Sequence, residues 1–205
     1  MKRADFFATW SRLHGDAEIS GFVRWWLSIS YPCARLFSRL RVTPNVLTSF
    51  GVLFSVAAWF GAHSWWALAF VLLALLADGL DGSLAIYAGT ESIRGAFVDS
   101  LADRISEAFF FLTFYRLAPR YVVVIFIAWI FGYVQEYIRA RAQGLGHKTT
   151  GIVTISERPV RVILLLGTII AWHINPRFAS ACAVAGLCLQ LIALYQLADF
   201  QRKNI

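Results

Sequence analysis

The sequence predicts an all-α integral membrane protein, with six transmembrane helices preceded by an amphipathic helix at the membrane interface. Three observations carry this. Hydrophobic residues make up 59% of the 205 and charged ones only 15%, where a soluble domain is roughly a quarter charged. Six apolar runs approach the roughly 20 residues that a helix needs to cross a bilayer. The basic residues collect between alternate runs, as the positive-inside rule describes. The net charge of +7 therefore reads as topology rather than as a nucleic-acid-binding face. The length suits one domain, residues 1–205, with an N-terminal segment 1–41 and a six-helix bundle 44–200.

Taken in order, "MKRADFFATWSRLHGD" is too polar for the apolar centre of a signal peptide. Ile19 to Arg41 mixes Trp25, Trp26, Tyr31 and Phe37 with Arg24, Arg35 and Arg39, the composition of an interfacial helix. Helix one runs from about Pro44 to Ala62, after "RVTPN" breaks the preceding segment. Helix two starts at Trp65 and continues through "ALAFVLLALLA". Helix three starts near Ile93 and leaves through "EAFFFLTFY". Helix four is "YVVVIFIAWIFGYVQEYIRARA", helix five "ERPVRVILLLGTIIAWHI", and helix six runs from about Phe178 to Phe200. Cys33, Cys182 and Cys188 lie in apolar surroundings and read as buried small hydrophobes.

Charge sets the orientation. Seven basic residues precede helix one, five lie from Arg139 to Arg161, and two sit near the C-terminus. The other side has only Arg116, Arg120 and Arg177. Both termini are therefore expected in the cytoplasm of a multi-pass plasma-membrane protein, with Trp65 and Trp66 as anchors at the far interface.

Ionisable residues are costly in such a chain and mark functional sites. The stretch "DGLDGSLAIYAGTESIRGAFVDSLADRISE" holds Asp78, Asp81, Asp99 and Asp103. Asp78 and Asp81 are three apart, Asp99 and Asp103 four apart, so each pair shares a helix face. Two adjacent antiparallel helices would bring four carboxylates into one small volume at the cytoplasmic side. They could not all stay ionised there, unless a divalent cation joined them. Hard oxygen ligands favour Mg²⁺ or Mn²⁺, and four carboxylates suffice to bridge two ions, as phosphoryl-transfer sites do. Gly79, Gly82 and Gly95 leave room for a ligand or another backbone to approach the same helix ends.

These residues resemble the signature of the CDP-alcohol phosphotransferase family, D-x2-D-G-x2-A-R-x8-G-x3-D-x3-D. Here it reads Asp78, Asp81, Gly82, Ala85, Gly95, Asp99 and Asp103, every spacing intact. The likeness extends to "TPNVLT" at the start of helix one, and "YIRARA" and "ERPVR" look most like the family's phosphatidylinositol phosphate synthase branch. The resemblance implies transfer of a phosphatidyl group from a CDP-linked lipid such as CDP-diacylglycerol to a small polar acceptor, with release of CMP. It also implies metal ligation by Asp78, Asp81, Asp99 and Asp103, a general-base role for Asp103, and a homodimer. Gly82, Ala85, Gly95 and the nearby Arg94 would serve the CDP donor. One departure stands out: the family's Arg, which helps hold the donor's diphosphate, is Ile86. Ile86→Arg is accordingly expected to tighten donor binding. Helix six offers Gln190 and Gln196 but no Arg before Arg202.

Arg139, Arg141 and Arg158, with Arg161 and Lys148, form a second cluster. Positive-inside bias explains part of it. Guanidinium groups also pair phosphate bidentately, so Arg139, Arg141 and Arg158 are candidates for an acceptor phosphate, inositol phosphate first and glycerol phosphate next. Glu136 is expected to pair with Arg139 or Arg141, and Asn45 and Thr48 to open helix one, with contact to the donor headgroup as the second reading. His63, His147 and His173 are isolated. A membrane prenyltransferase is the remote alternative, but its two Asp-rich motifs lie far apart in the chain, and here both pairs share one stretch. A nucleotide-lipid binder without turnover is the other alternative, resting on Ile86.

Overall fold

The computed structural model describes residues 1–146 and 152–204. Eight α-helices account for most of them: α1 (Arg3–Leu13), α2 (Gly21–Arg39), α3 (Pro44–Phe60), α4 (Trp66–Ala88), α5 (Ile93–Leu117), α6 (Val122–Gly144), α7 (Arg158–Ile174) and α8 (Pro176–Asn204). A 3₁₀ turn, Pro119–Tyr121, precedes α6. No strand occurs among the described residues. The six helices expected as spans are α3 to α8, each within a few residues of its sequence bounds, and α2 matches the expected interfacial segment. α1 is additional.

Three of these helical stretches are long and apolar enough to cross a membrane, Trp66–Ala88, Pro119–Gly144 and Pro176–Lys203. A fourth is gained if α2 and α3, which meet at a 110° bend, count as one broken span. α3 and α7 have 17 residues each, somewhat short for a full crossing. α5 is interrupted by Asp99, Asp103, Arg104 and Glu107. Arg41, with φ +59°, turns the chain at the α2–α3 junction.

The chain divides into two compact units, Met1–Val56 with Leu72–Glu107, and Ala57–Val71 with Ala108–Ile205. In the first, α2 buries Leu27, Ser30 and Ala34 along one face, the spacing of a helical stripe, and exposes Phe22, Trp25 and Leu36 together with Arg24, Arg35 and Arg39. Phe6 of α1, Leu27 of α2 and Ile86 of α4 form one apolar cluster, joined by Trp10, Val23, Trp26 and Tyr87 among others. Ala34, Leu47 and Leu84 form another. α2 lies so close to α4 that a Cβ at Gly79 would stand 2.6 Å from the Trp26 ring, so only glycine fits there without displacing the indole.

In the second unit α8 packs against both α6 and α7. Arg116 donates from Nη1 to the carbonyls of Trp59 (2.8 Å) and Phe60 (3.0 Å), capping the carbonyl end of α3. The isolated histidines have structural places: His173 stacks on Trp65 with ring centroids 4.0 Å apart, and His63 lies 4.8 Å from Trp172. His147 and Lys148 lie outside the described residues. The expectation of three buried cysteines is not met: Cys33 and Cys182 are half-buried, and Cys188 is exposed. It stands on the apolar outer surface of α8, where a thiol needs no burial within the protein.

Candidate active site

The motif is built on a tight reversal between α4 and α5. α4 ends in a Schellman arrangement: Thr90 N–H donates to Ala85 O (3.0 Å) and Gly89 N–H to Ile86 O (3.2 Å), with Gly89 at φ +64°. That left-handed position suits glycine. Three residues later Ser92 caps α5, its Oγ accepting from Gly95 N–H at 3.0 Å, the usual N-cap geometry. The reversal returns α5 beside the chain it left.

This brings Asp78 of α4 together with Asp99 and Asp103 of α5. One carboxylate oxygen from each lies within 4.8 Å of the other two. Two ligands of an Mg²⁺-sized ion, at about 2.1 Å each, stand at most about 4.2 Å apart. A small inward adjustment of side chains therefore closes the set around one cation, and an all-carboxylate donor set suits Mg²⁺ or Mn²⁺. The residues fit a metal.

Asp81 differs from the four-carboxylate expectation. It is 5% exposed and stands outside the group of three. Its Oδ2 accepts from Thr48 Oγ1 at 2.5 Å, and its Oδ1 from Gly82 N–H at 2.6 Å. Thr48 was expected at a helix start, with contact to the donor headgroup as the second reading; its hydroxyl in fact reaches a carboxylate 33 positions along the chain. Around Gly82 there is open space, Gly95 has only Ser92 Oγ nearby, and Arg94 is exposed in the first turn of α5. Ala85 is half-buried. Ile86 is 5% exposed in the Phe6–Leu27 cluster: where the family carries its Arg, this chain uses the side chain to seat its N-terminal helices.

In the second unit the basic cluster is largely engaged by protein groups. Arg139 donates from Nη1 to Glu157 Oε2 (2.8 Å) and from Nη2 to Glu157 Oε1 and to Ile152 O (2.9 Å). Glu136 lies 3.7 Å from Arg139 and 3.5 Å from Arg161, so the expected pairing with Arg139 is present, though longer than that with Glu157. Arg141 is exposed while Arg139 is mostly covered, as a two-residue offset requires. Arg158 is half-buried in the first turn of α7.

Beneath this pairing runs a directed chain of hydrogen bonds. Gln190 Nε2 donates to Gln135 Oε1 (2.7 Å), Gln135 Nε2 to Thr154 Oγ1 (2.9 Å), and Thr154 Oγ1 to Glu157 Oε1 (2.8 Å). Ser156 Oγ donates to Gln190 Oε1 at 2.9 Å. Gln135, Thr154, Ser156 and Gln190 are all buried, so the network ties residues 154–157 to α6 and α8 and anchors Glu157. Glu157 and both glutamines were missed as positioning groups; the one sequence signal is two amides in otherwise apolar helices. Gln190→Leu should leave Ser156 Oγ and Gln135 Oε1 without partners and cost about 2–4 kcal/mol, read as a lower thermal midpoint. An unchanged midpoint would show the network to be incidental.

Residues 41–195 match the CDP-alcohol phosphatidyltransferase family, and the chain belongs to it. It is thus a transferase, an integral membrane enzyme with a divalent metal cofactor. Among its relatives, the archaetidylinositol phosphate synthase of Aeropyrum pernix is 30% identical over 166 residues, 80% of this chain and 84% of that protein. The crystal structure of Mycobacterium tuberculosis phosphatidylinositol phosphate synthase with CDP-DAG bound is 28% identical, with a TM-score of 0.71, covering 84% of this chain and 93% of that one. The same protein in complex with manganese and citrate also gives 0.71 at 28% identity, covering 83% and 88%.

Proposed function

We propose that the protein transfers the phosphatidyl group of CDP-diacylglycerol to a hydroxyl of an inositol phosphate and releases CMP. The observation that carries this is the convergence of Asp78, Asp99 and Asp103 within a motif that departs from the family only at Ile86. The CDP-DAG-bound relative supports the donor, and the names of the relatives support the acceptor.

Asp78, Asp99 and Asp103 hold the metal, and Asp81, on the same face of α4 as Asp78, completes the set for two ions. Bound there, a divalent cation neutralises the donor's diphosphate and makes CMP a better leaving group. Gly82, Ala85 and Gly95 give the nucleotide room to approach the backbone, and Arg94 donates to its phosphates. Asp103 takes the proton of the acceptor hydroxyl. The hydroxyl oxygen bonds to the lipid-side phosphorus while the bond from that phosphorus to the CMP oxygen breaks. Arg139, Arg141 and Arg158 receive the acceptor's phosphate, Arg139 exchanging part of its hold on Glu157.

The chain acts as one domain, and the family match across residues 41–195 supports that. α3 to α8 serve as six spans and α2 as the interfacial helix, a reading supported by its exposed Phe22 and Trp25 beside Arg24. The bias of basic residues supports a site and two termini facing the cytoplasm. The working unit is a homodimer.

CMP release from CDP-diacylglycerol should be fastest with inositol phosphate, compared with glycerol phosphate, inositol and serine. Arg158→Ala should raise the acceptor KM roughly tenfold or more and the donor KM little, because the lost contact is to the acceptor. Equal use of inositol or serine, or an unchanged acceptor KM, overturns the acceptor assignment. A preference for glycerol phosphate would keep the chemistry and change the product.

A further inference from the structure

We infer that Thr48 is a latch on Asp81, holding that carboxylate away from the other three until a cation draws it in. This rests on the metal site proposed above. Asp78, Asp99 and Asp103 already converge, but Asp81 is turned to α3, where Thr48 Oγ1 donates to its Oδ2 at 2.5 Å. Both residues are buried, at 9% and 5% exposure. A charge-assisted hydrogen bond in such a place is among the stronger ones.

The hydroxyl has two acceptors and one proton. Besides Asp81 Oδ2 it stands 3.1 Å from the Pro44 carbonyl, four residues back in its own helix. When Asp81 leaves, Thr48 rotates its proton to Pro44 O and no buried donor is orphaned. The latch therefore has two satisfied states, one with Asp81 retained and one with Asp81 released to the cation. Its function is to keep Asp81 out of a four-carboxylate cluster while no metal is present, where like charges would repel, and to oppose metal loading by the strength of one hydrogen bond. Thr48 is a positioning residue, acting through Asp81.

Mn²⁺ binding to the purified full-length protein, followed by electron paramagnetic resonance of free Mn²⁺, tests this without turnover. Thr48→Val keeps the shape and removes the donor; it should bind Mn²⁺ roughly five- to tenfold tighter, because the Thr48 hydrogen bond then no longer opposes Asp81's movement and only the local one from Gly82 N–H remains. The Mn²⁺ concentration for half-maximal CMP release should fall in step. Thr48→Ser restores the hydroxyl and should return both values to those of the parent. Thr48→Ala serves the same comparison should the Val variant not fold. Unchanged or weaker Mn²⁺ binding in the hydroxyl-free variant overturns the latch. Asp99→Asn run beside it separates the two readings: if Asp99→Asn loses Mn²⁺ while Thr48→Val is unaffected, the latch alone fails, and if Asp99→Asn binds normally, the metal site itself fails.

Discussion

Asp99→Asn and Asp103→Asn should each lower the rate of CMP release by about two orders of magnitude or more, with helical content unchanged. An amide keeps the size of the carboxylate and one oxygen, but it removes the negative charge and puts a non-ligating NH₂ in place of the other oxygen, so one of the three groups that converge within 4.8 Å becomes a much weaker ligand. Asp103→Asn should be the more damaging, because it also removes the base. EDTA should abolish activity in the parent, and Mg²⁺ or Mn²⁺ should restore it. Full activity in EDTA, or in both variants, would refute the metal mechanism.

Ile86→Arg is expected to destabilise the protein by about 2–4 kcal/mol, the range for forcing a poorly compensated polar or charged group into a packed apolar site. The resemblance to the family implied the opposite, a gain in donor affinity. The difference lies in packing: Ile86 is 5% exposed among Phe6, Leu27 and the aromatic residues that join them. A guanidinium there must either displace that cluster or bend out past Tyr87. Thermal unfolding and a donor titration decide the matter together. A lower midpoint without tighter binding is the expected pair. Tighter donor binding at unchanged stability would mean that position 86 still serves the donor.

The helices were legible because each is written in one contiguous apolar run, bounded by Pro44, Gly89 or a charge, and local signals of that kind need no tertiary context. α1 was not, because "RADFFATWSRL" has no side-chain cap and a weak apolar stripe; its one fully buried anchor, Phe6, is satisfied by residues 21 and 80 positions away. The same divide runs through the site. The convergence of Asp78, Asp99 and Asp103 followed from helical spacing and a short reversal. The turning of Asp81 toward Thr48 did not, since two residues 33 apart leave no pattern along the chain. Likewise, Arg139 and Arg141 could be placed on different faces from their offset alone. That Arg139 would be gripped by Glu157, 18 residues on, depended on how residues 152–157 fold back.

The reversal between α4 and α5 makes the motif's spacing a ruler. Thr90 closes on Ala85, Ser92 closes on Gly95, and only Gly89 to Ser92 separate the two helices. The eight positions between the motif residues at 86 and 95 are thus the arc length of one capped turn. Along an α-helix each residue advances the side chain by about 100°, so one inserted residue between Gly95 and Asp99 would swing both α5 carboxylates a quarter-turn and more away from Asp78. Hydropathy would scarcely change, and the chain would still look like the same membrane protein. Sequence length in this stretch is therefore held to the residue by angle, not by composition.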